Sequence, residues 1–258
     1  MLKGLQTHFA DKGLLGPEKC QRIAEIGVQL GRIDAQGQEP EPVEAQCMEL
    51  AVVGIPAYVI VNDPAIIEHL PVTVYGVEYL NEPDGRIDPA DYRAGLKEIA
   101  FECKRNNLEF YGPCVSNLIR TKVLAEGSEL RGIEYIEACA PYPYGMKGSV
   151  HRYGDDDNVQ NPHKGFKSRE HEVDAMHMAF DLDRPFGVSE LGWASCGTLS
   201  EEQAGFNMEW EVKFWTRMKA LFLIFYQIHD GTGDDNGSHF GLFRLDGTVK
   251  EAYARAFK

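Results

Sequence analysis

The chain has 258 residues, 43 % of them hydrophobic and 26 % charged, with a formal net charge of −14. That length is close to the ~250 residues of one (β/α)₈ barrel and supplies ample apolar material for a core. The acidic balance, with no Lys/Arg cluster, argues against nucleic acid as a partner, and no run reaches the ~18 apolar residues of a membrane span, so a soluble protein is expected, cytoplasmic or secreted with its signal absent from this sequence.

Lys3 to Phe9 suits a first strand, with His8 at its end as a candidate substrate contact. Gly16-Pro17 then opens a helix with Cys20, Ile23, Ala24 and Gly27 on one face, and Val28 to Ala35 follows as a second strand with Arg32 and Asp34 near its tip. A polar turn leads to a helix over Val43 to Val53, and Ile55 to Asn62 reads as the third strand. About nine residues precede the fourth strand, short of the ~10 to 12 expected for a helical crossover. Val72 to Asp84 holds that fourth strand, rich in β-branched and aromatic residues and stopped at Asn81-Glu82-Pro83, because Pro83 cannot donate to a ladder. Glu82 is thereby left at the carboxyl end of a strand, where ligands bind in parallel α/β folds.

Asp88-Pro89 caps a helix whose apolar face is Tyr92, Leu96, Ile99, Ala100 and Cys103. Leu108 to Ser116 reads as the fifth strand, Ile119 to Leu130 as a helix, and Ile133 to Tyr144 as the sixth strand. The polar segment from Gly145 to Gly165 is expected to form a functional loop over the mouth of a site. After a helix over Phe166 to Leu182, Pro185 to Trp193 forms a seventh strand carrying Glu190. Ser200 to Gln203 is a capping box opening a further helix, Leu221 to His229 a buried eighth strand followed by Asp230, and Val249 to Phe257 a last helix. Alternation of strand and helix without a linker or repeat predicts an α/β fold, a single (β/α)₈ TIM barrel, as one domain over 1–258.

Two carboxylic acids at strand tips, 108 residues apart in sequence, are the chemistry this pattern offers. Across a cleft, one acid protonates the leaving oxygen of an acetal while the other attacks the anomeric carbon or activates water. Metal chemistry is disfavoured: Gln6-Thr7-His8 lacks an H-x-H pair, and His171 and His177 are six apart rather than four. The Gly-rich segment after strand eight, from Asp230 to Gly241, lacks the lysine of a phosphate loop, and its acids read as a solvated rim more readily than a calcium site. The six cysteines, without C-x-x-C pairs, read as reduced structural thiols.

Asn81-Glu82-Pro83 after a strand, with Glu190 in a Ser-Glu-Leu-Gly-Trp context, resembles the retaining (β/α)₈ glycoside hydrolases of clan A, such as families 5 and 39. The resemblance extends to GRID on strand two, APYPY, which ends the expected strand six, and FYQIHDG with FGLFRLDGTVKEAY at the end. It implies Glu82 as general acid/base, Glu190 as nucleophile, Asn81 on the sugar 2-hydroxyl, and Arg32 holding Glu190 ionised. It also implies Tyr142 on the nucleophile, contested by the nearby Tyr144, and offers Trp193 as a sugar platform. Many relatives carry a histidine two residues before that tyrosine, where this chain has Ala140, and a tryptophan near the end of strand eight, where Phe225-Tyr226 stands. His151 or His229 is expected to replace the first contact and Tyr226 the second. The implied activity is an endo-β-glycosidase on a neutral β-glucan or β-mannan, without a cofactor; an exo-acting β-glycosidase and an inactive carbohydrate-binding barrel are the alternatives.

Overall fold

The computed structural model describes residues 1–7, 15–120, 129–153, 157–181, 184–195, 198–232 and 239–258. Eight parallel strands form the sheet: β1 (Leu2–Gln6), β2 (Leu30–Asp34), β3 (Ala57–Val61), β4 (Val74–Tyr79), β5 (Phe110–Tyr111), β6 (Gly148–His151), β7 (Phe186–Leu191) and β8 (Phe222–Phe225). Their order is β5-β4-β3-β2-β1-β8-β7-β6. Closure between β5 and β6 comes from parallel bridges at Tyr111–Lys147 and Val115–Val150, with Gly112 N donating to Lys147 O (3.1 Å) and His151 N to Val115 O (3.2 Å). The fold is thus a single (β/α)₈ TIM barrel.

Around it lie α1 (Pro17–Ile26), α2 (Pro40–Val52), α3 (Pro89–Arg105), α4 (Gly132–Ala138), α5 (Arg169–Ala179), α6 (Glu201–Arg217) and α7 (Glu251–Ala254). The short connection between β3 and β4 holds only a 3₁₀ turn, Pro64–His69, so that one barrel unit lacks an α-helix. Local chemistry sets the helix ends. Gly27 closes α1 in the left-handed region at φ 105°, the Asp88 carboxylate accepts from Ala90 N to start α3, and Ser200 and Gln203 form the reciprocal capping box of α6. The amino-terminal end of the barrel is plugged by Leu30, Tyr58, Tyr111, Phe222 and Ile224. Gly187 makes room there, because a Cβ on it would meet the Phe222 ring at 2.2 Å.

One expected unit is displaced. The sixth strand is Gly148–His151, and most of Ile133 to Tyr144 is instead helix α4 followed by a turn. Pro141 and Pro143 have no N–H to give a central ladder, which is why that stretch does not pair. The helix expected over Ile119 to Leu130 does not begin where the sequence suggested: Arg120 makes an antiparallel bridge with Gly132. Residues 121–128 lie outside the described residues.

Candidate active site

The carboxyl end of β2 delivers Arg32, fully buried, into the barrel. Its guanidinium is shared out completely on two sides. Nη1 donates to Glu190 Oε2 (2.7 Å) and to Gln6 Oε1 (2.9 Å). Nη2 donates to Glu78 Oε1 (2.7 Å) and Asn81 Oδ1 (2.8 Å), and faces His151 Nε2 at 3.2 Å. Both Nη2 hydrogens are taken by Glu78 and Asn81, so His151 Nε2 packs against this nitrogen while His151 Nδ1 lies 3.1 Å from Glu82 Oε1. One cation therefore orients two carboxylates and two amides, and packs against a ring.

Glu82 lies just beyond β4 on a distorted backbone, with Leu80 at φ 59° and Glu82 itself at φ 48°. For non-glycine residues the left-handed region costs about 1–2 kcal/mol each, so the surroundings hold this corner in place. Asp84 is one such anchor, accepting from Ser116 N (2.7 Å), Ser116 Oγ (3.1 Å) and Gly132 N (3.0 Å). Glu190 sits within β7, and its Oε1 accepts a short hydrogen bond from the Tyr153 hydroxyl. One carboxylate oxygen of each glutamate and one ring nitrogen of His151 all lie within 4.8 Å of one another.

Burial pushes the Glu82 carboxyl up. The hydrogen bond and charge of His151, with the cations Arg86 and Arg32, outweigh it, and the net direction is below the ordinary carboxylate range. Glu78, also pushed up by burial, is drawn down overall by Arg32, His151 and Ser149. Burial raises the Tyr153 phenol well above its usual value, with the Glu190 charge adding to it.

Of the residues the sequence singled out, Arg32, Asn81, Glu82, His151 and Glu190 converge. Tyr226 joins them at one remove: its ring packs 6.3 Å from Tyr153 and 5.7 Å from Phe240. Its phenol is pushed up to about 12 by burial and by the charges of Glu190 and Glu82. Tyr142 does not converge, since its hydroxyl donates to Ile136 O and its ring packs on Phe180 and under Arg184. Tyr144 is fully exposed. Both fell out of the site because β6 begins later than the sequence suggested. Trp193 is 5 % exposed, a core residue rather than an open platform. His229 packs on Phe243, and Asp230 binds the Lys250 ammonium (2.7 Å) and Gly241 N (2.8 Å), so both fasten the segment after β8. His8 lies outside the described residues, as does half of the Gly-rich segment considered for calcium, residues 233–238.

Two residues went unnoticed in the sequence, Glu78 and Tyr153. Tyr153 stands two residues after His151, the spacing that the resemblance sought at Ala140 and Tyr142. Glu78 carried a signal too: an acid inside an otherwise apolar strand must be paired, and Arg32 was the available cation. Glu78, Cys114 and His151 also offer ligand atoms within 4.8 Å of each other, as do Glu82, His151 and Glu190. In each set two of the three donors, Glu78 and His151 or His151 and Glu190, already face the buried Arg32 guanidinium, whose charge repels a second cation.

No protein-family model matches the chain, and no curated protein matches it in sequence. Its fold is similar to solved structures of clan A glycoside hydrolases. Endoglucanase Cel5A from the hyperthermophilic Thermotoga maritima superposes with a TM-score of 0.69 at 15 % identity, covering 100 % of this chain and 97 % of that one. A family 39 glycoside hydrolase from Bacteroides cellulosilyticus WH2 gives 0.67 at 15 % identity, over 99 % of this chain and 62 % of that one. A GH128 endo-β-1,3-glucanase from Amycolatopsis mediterranei, in complex with laminarihexaose, gives 0.63 at 11 % identity over 99 % and 98 %. At such identities the likeness establishes the barrel, and the chemistry rests on the site.

Proposed function

We propose that the chain is a retaining glycoside hydrolase, acting on a neutral β-glucan or β-mannan within the chain of sugars. The observation that carries this reading is the pairing of Glu82 and Glu190, with carboxylate oxygens within 4.8 Å. Retaining enzymes hold their carboxyl groups ~5 to 5.5 Å apart, whereas inverting ones leave ~6.5 to 9.5 Å for a water. Arg32 donates to Glu190 Oε2 (2.7 Å) and aims that carboxylate, which suits attack on the anomeric carbon. As that bond forms, the bond to the leaving oxygen breaks and Glu82 supplies its proton. In the second half, Glu82 takes a proton from the water that displaces Glu190, and the configuration is retained overall.

Asn81 gives its Oδ1 to Arg32, which leaves its amide N–H₂ to donate to the sugar hydroxyl next to the reacting carbon. The Tyr153 hydroxyl donates to the other Glu190 oxygen, so each oxygen of this carboxylate is held by one donor. The substrate class follows from the acidic surface, which disfavours polyanionic glycans, and from the endoglucanase and endo-β-1,3-glucanase structures to which the barrel is similar.

The test is a panel of neutral β-glucans, β-mannans and aryl β-glycosides, with the anomer of the first product read by NMR. The β-anomer is expected from the wild-type chain, and no turnover from Glu190→Gln. Azide added to Glu190→Gly should restore cleavage of an activated aryl glycoside and give the inverted α-glycosyl azide. An inverted product from the wild type, or unchanged turnover in Glu190→Gln, overturns the assignment. Release of only mono- or disaccharides from the chain end points to the exo-acting alternative.

A further inference from the structure

Behind His151, the last residue of β6, and Tyr153 just beyond it lies a cluster of five fully buried ionisable side chains: Arg152, His163, Arg169, Glu172 and Glu211. Alternation along the chain explains the placement. His151 and Tyr153 turn toward Glu82 and Glu190, so Arg152 between them turns outward, against α5 and α6. Arg152 N donates to Glu190 O (2.9 Å), tying the two strand ends together. Its guanidinium donates to Asn161 O (2.9 Å) and approaches Glu172 (3.7 Å) and Glu211 (3.9 Å).

Arg169 chelates Glu211 with two bonds of 3.0 Å, donates to Val159 O (2.7 Å) and contacts Glu172 (3.1 Å). Glu172 in turn accepts from His163 N and lies 3.1 Å from His163 Nδ1. The opposite nitrogen of that ring, Nε2, meets the carbonyl oxygen of Tyr153 in a short hydrogen bond. Asn117 holds the same residue from the other side, accepting from Tyr153 N and donating to Tyr153 O, both at 3.2 Å. The path is therefore continuous: Glu172 fixes His163, His163 fixes the Tyr153 backbone, and the Tyr153 hydroxyl fixes Glu190.

A set of buried charges is weak as a source of stability, since desolvation offsets most of the attraction, but it is rigid, because any member that moves leaves another unpaired. We infer that His163, held by Glu172, is a positioning residue that keeps the Tyr153 hydroxyl on Glu190 and so orients the group proposed as nucleophile. It touches no substrate, and this role rests on the glycosidase reading given above.

The experiment is a double-mutant cycle joined to a spectroscopic probe. His163→Ala should lower kcat for an aryl β-glycoside roughly 10-fold, the scale of losing one hydrogen bond to a charged group, with KM changed by less than about 2-fold. His163→Gln, whose amide can still donate to the carbonyl, should recover part of the loss and also guards against misfolding of the alanine variant. In a Tyr153→Phe background His163→Ala should cost nothing further; additive losses overturn the inference. In protein labelled with ¹³Cζ-tyrosine, the Tyr153 signal, identified by its loss in Tyr153→Phe, should shift in His163→Ala and stay put in the control His69→Ala, an exposed histidine on the 3₁₀ turn. A fixed signal removes the clamp whether or not any glycoside is cleaved. A shifted signal in a protein that cleaves none removes the hydrolase reading and keeps the clamp.

Discussion

Arg32 and Arg86 act on the proposed acid Glu82 from opposite environments. Arg32 is buried and fixed, whereas the Arg86 side chain is 66 % exposed and meets Glu82 Oε2 at 3.5 Å. Burial lifts the Glu82 carboxyl, while His151, Arg86 and Arg32 pull it below the ordinary range. A general acid must be protonated when it meets substrate, and kcat/KM reports the free enzyme. The alkaline limb of kcat/KM is therefore expected on the acid side, where Glu82 loses its proton. Arg86→Gln removes a cation that favours the anion, so Glu82 holds its proton to higher pH and that limb should move upward. Profiles measured on one aryl glycoside at fixed ionic strength decide it; an unmoved limb means that Arg86 exerts no hold on the acid.

At the scale of elements, the barrel was legible because strand and helix periods alternate along most of the chain, and because caps such as Asp88 and Ser200 mark their own helices. The tip of β4 was legible as well: Pro83 stops the strand where Glu82 must follow. What failed was β6. Its four residues, Gly148–His151, are too short to show a period and sit inside a polar stretch, whereas the aromatic Pro141 to Tyr144 imitates a strand end but contains two residues unable to pair. Spacing along the chain also says little about a partner across the barrel, so Tyr153 appears only once Glu190 is in place. The corrected position of β6 makes a paired prediction. Tyr153→Phe removes a donor to Glu190 and should lower kcat/KM by roughly 10- to 100-fold, the range of one hydrogen bond to a charged group. Tyr142→Phe removes only a donor to Ile136 O, so activity should stay near wild type. Equal effects would return Tyr142 to the site.

For the molecule as a whole, function and acid stability draw on the same buried carboxylates. Glu78 and Glu172 are both without solvent exposure, one inside the barrel beneath the site and the other between barrel and helices. Burial pushes each carboxyl up. Arg32, His151 and Ser149 more than reverse this for Glu78, as the His163 hydrogen bond, Arg152 and Arg169 do for Glu172. Each folded value thus lies below that of an ordinary glutamate in the unfolded chain. The unfolded chain then binds more protons in that interval, so these groups contribute stability that is fully present above the unfolded value and lost as pH falls through the folded one. Urea midpoints should accordingly change little at neutral pH and fall steeply below about pH 4. Glu172→Gln separates this from general charge repulsion. It leaves Arg152, Arg169 and His163 short of an anion and should cost roughly 3–5 kcal/mol at pH 7. Having lost one depressed carboxyl, the variant should also lose stability less steeply on acidification than the wild type. Parallel curves would mean that Glu172 takes up no proton in the transition, and that acid unfolding is driven from the surface instead.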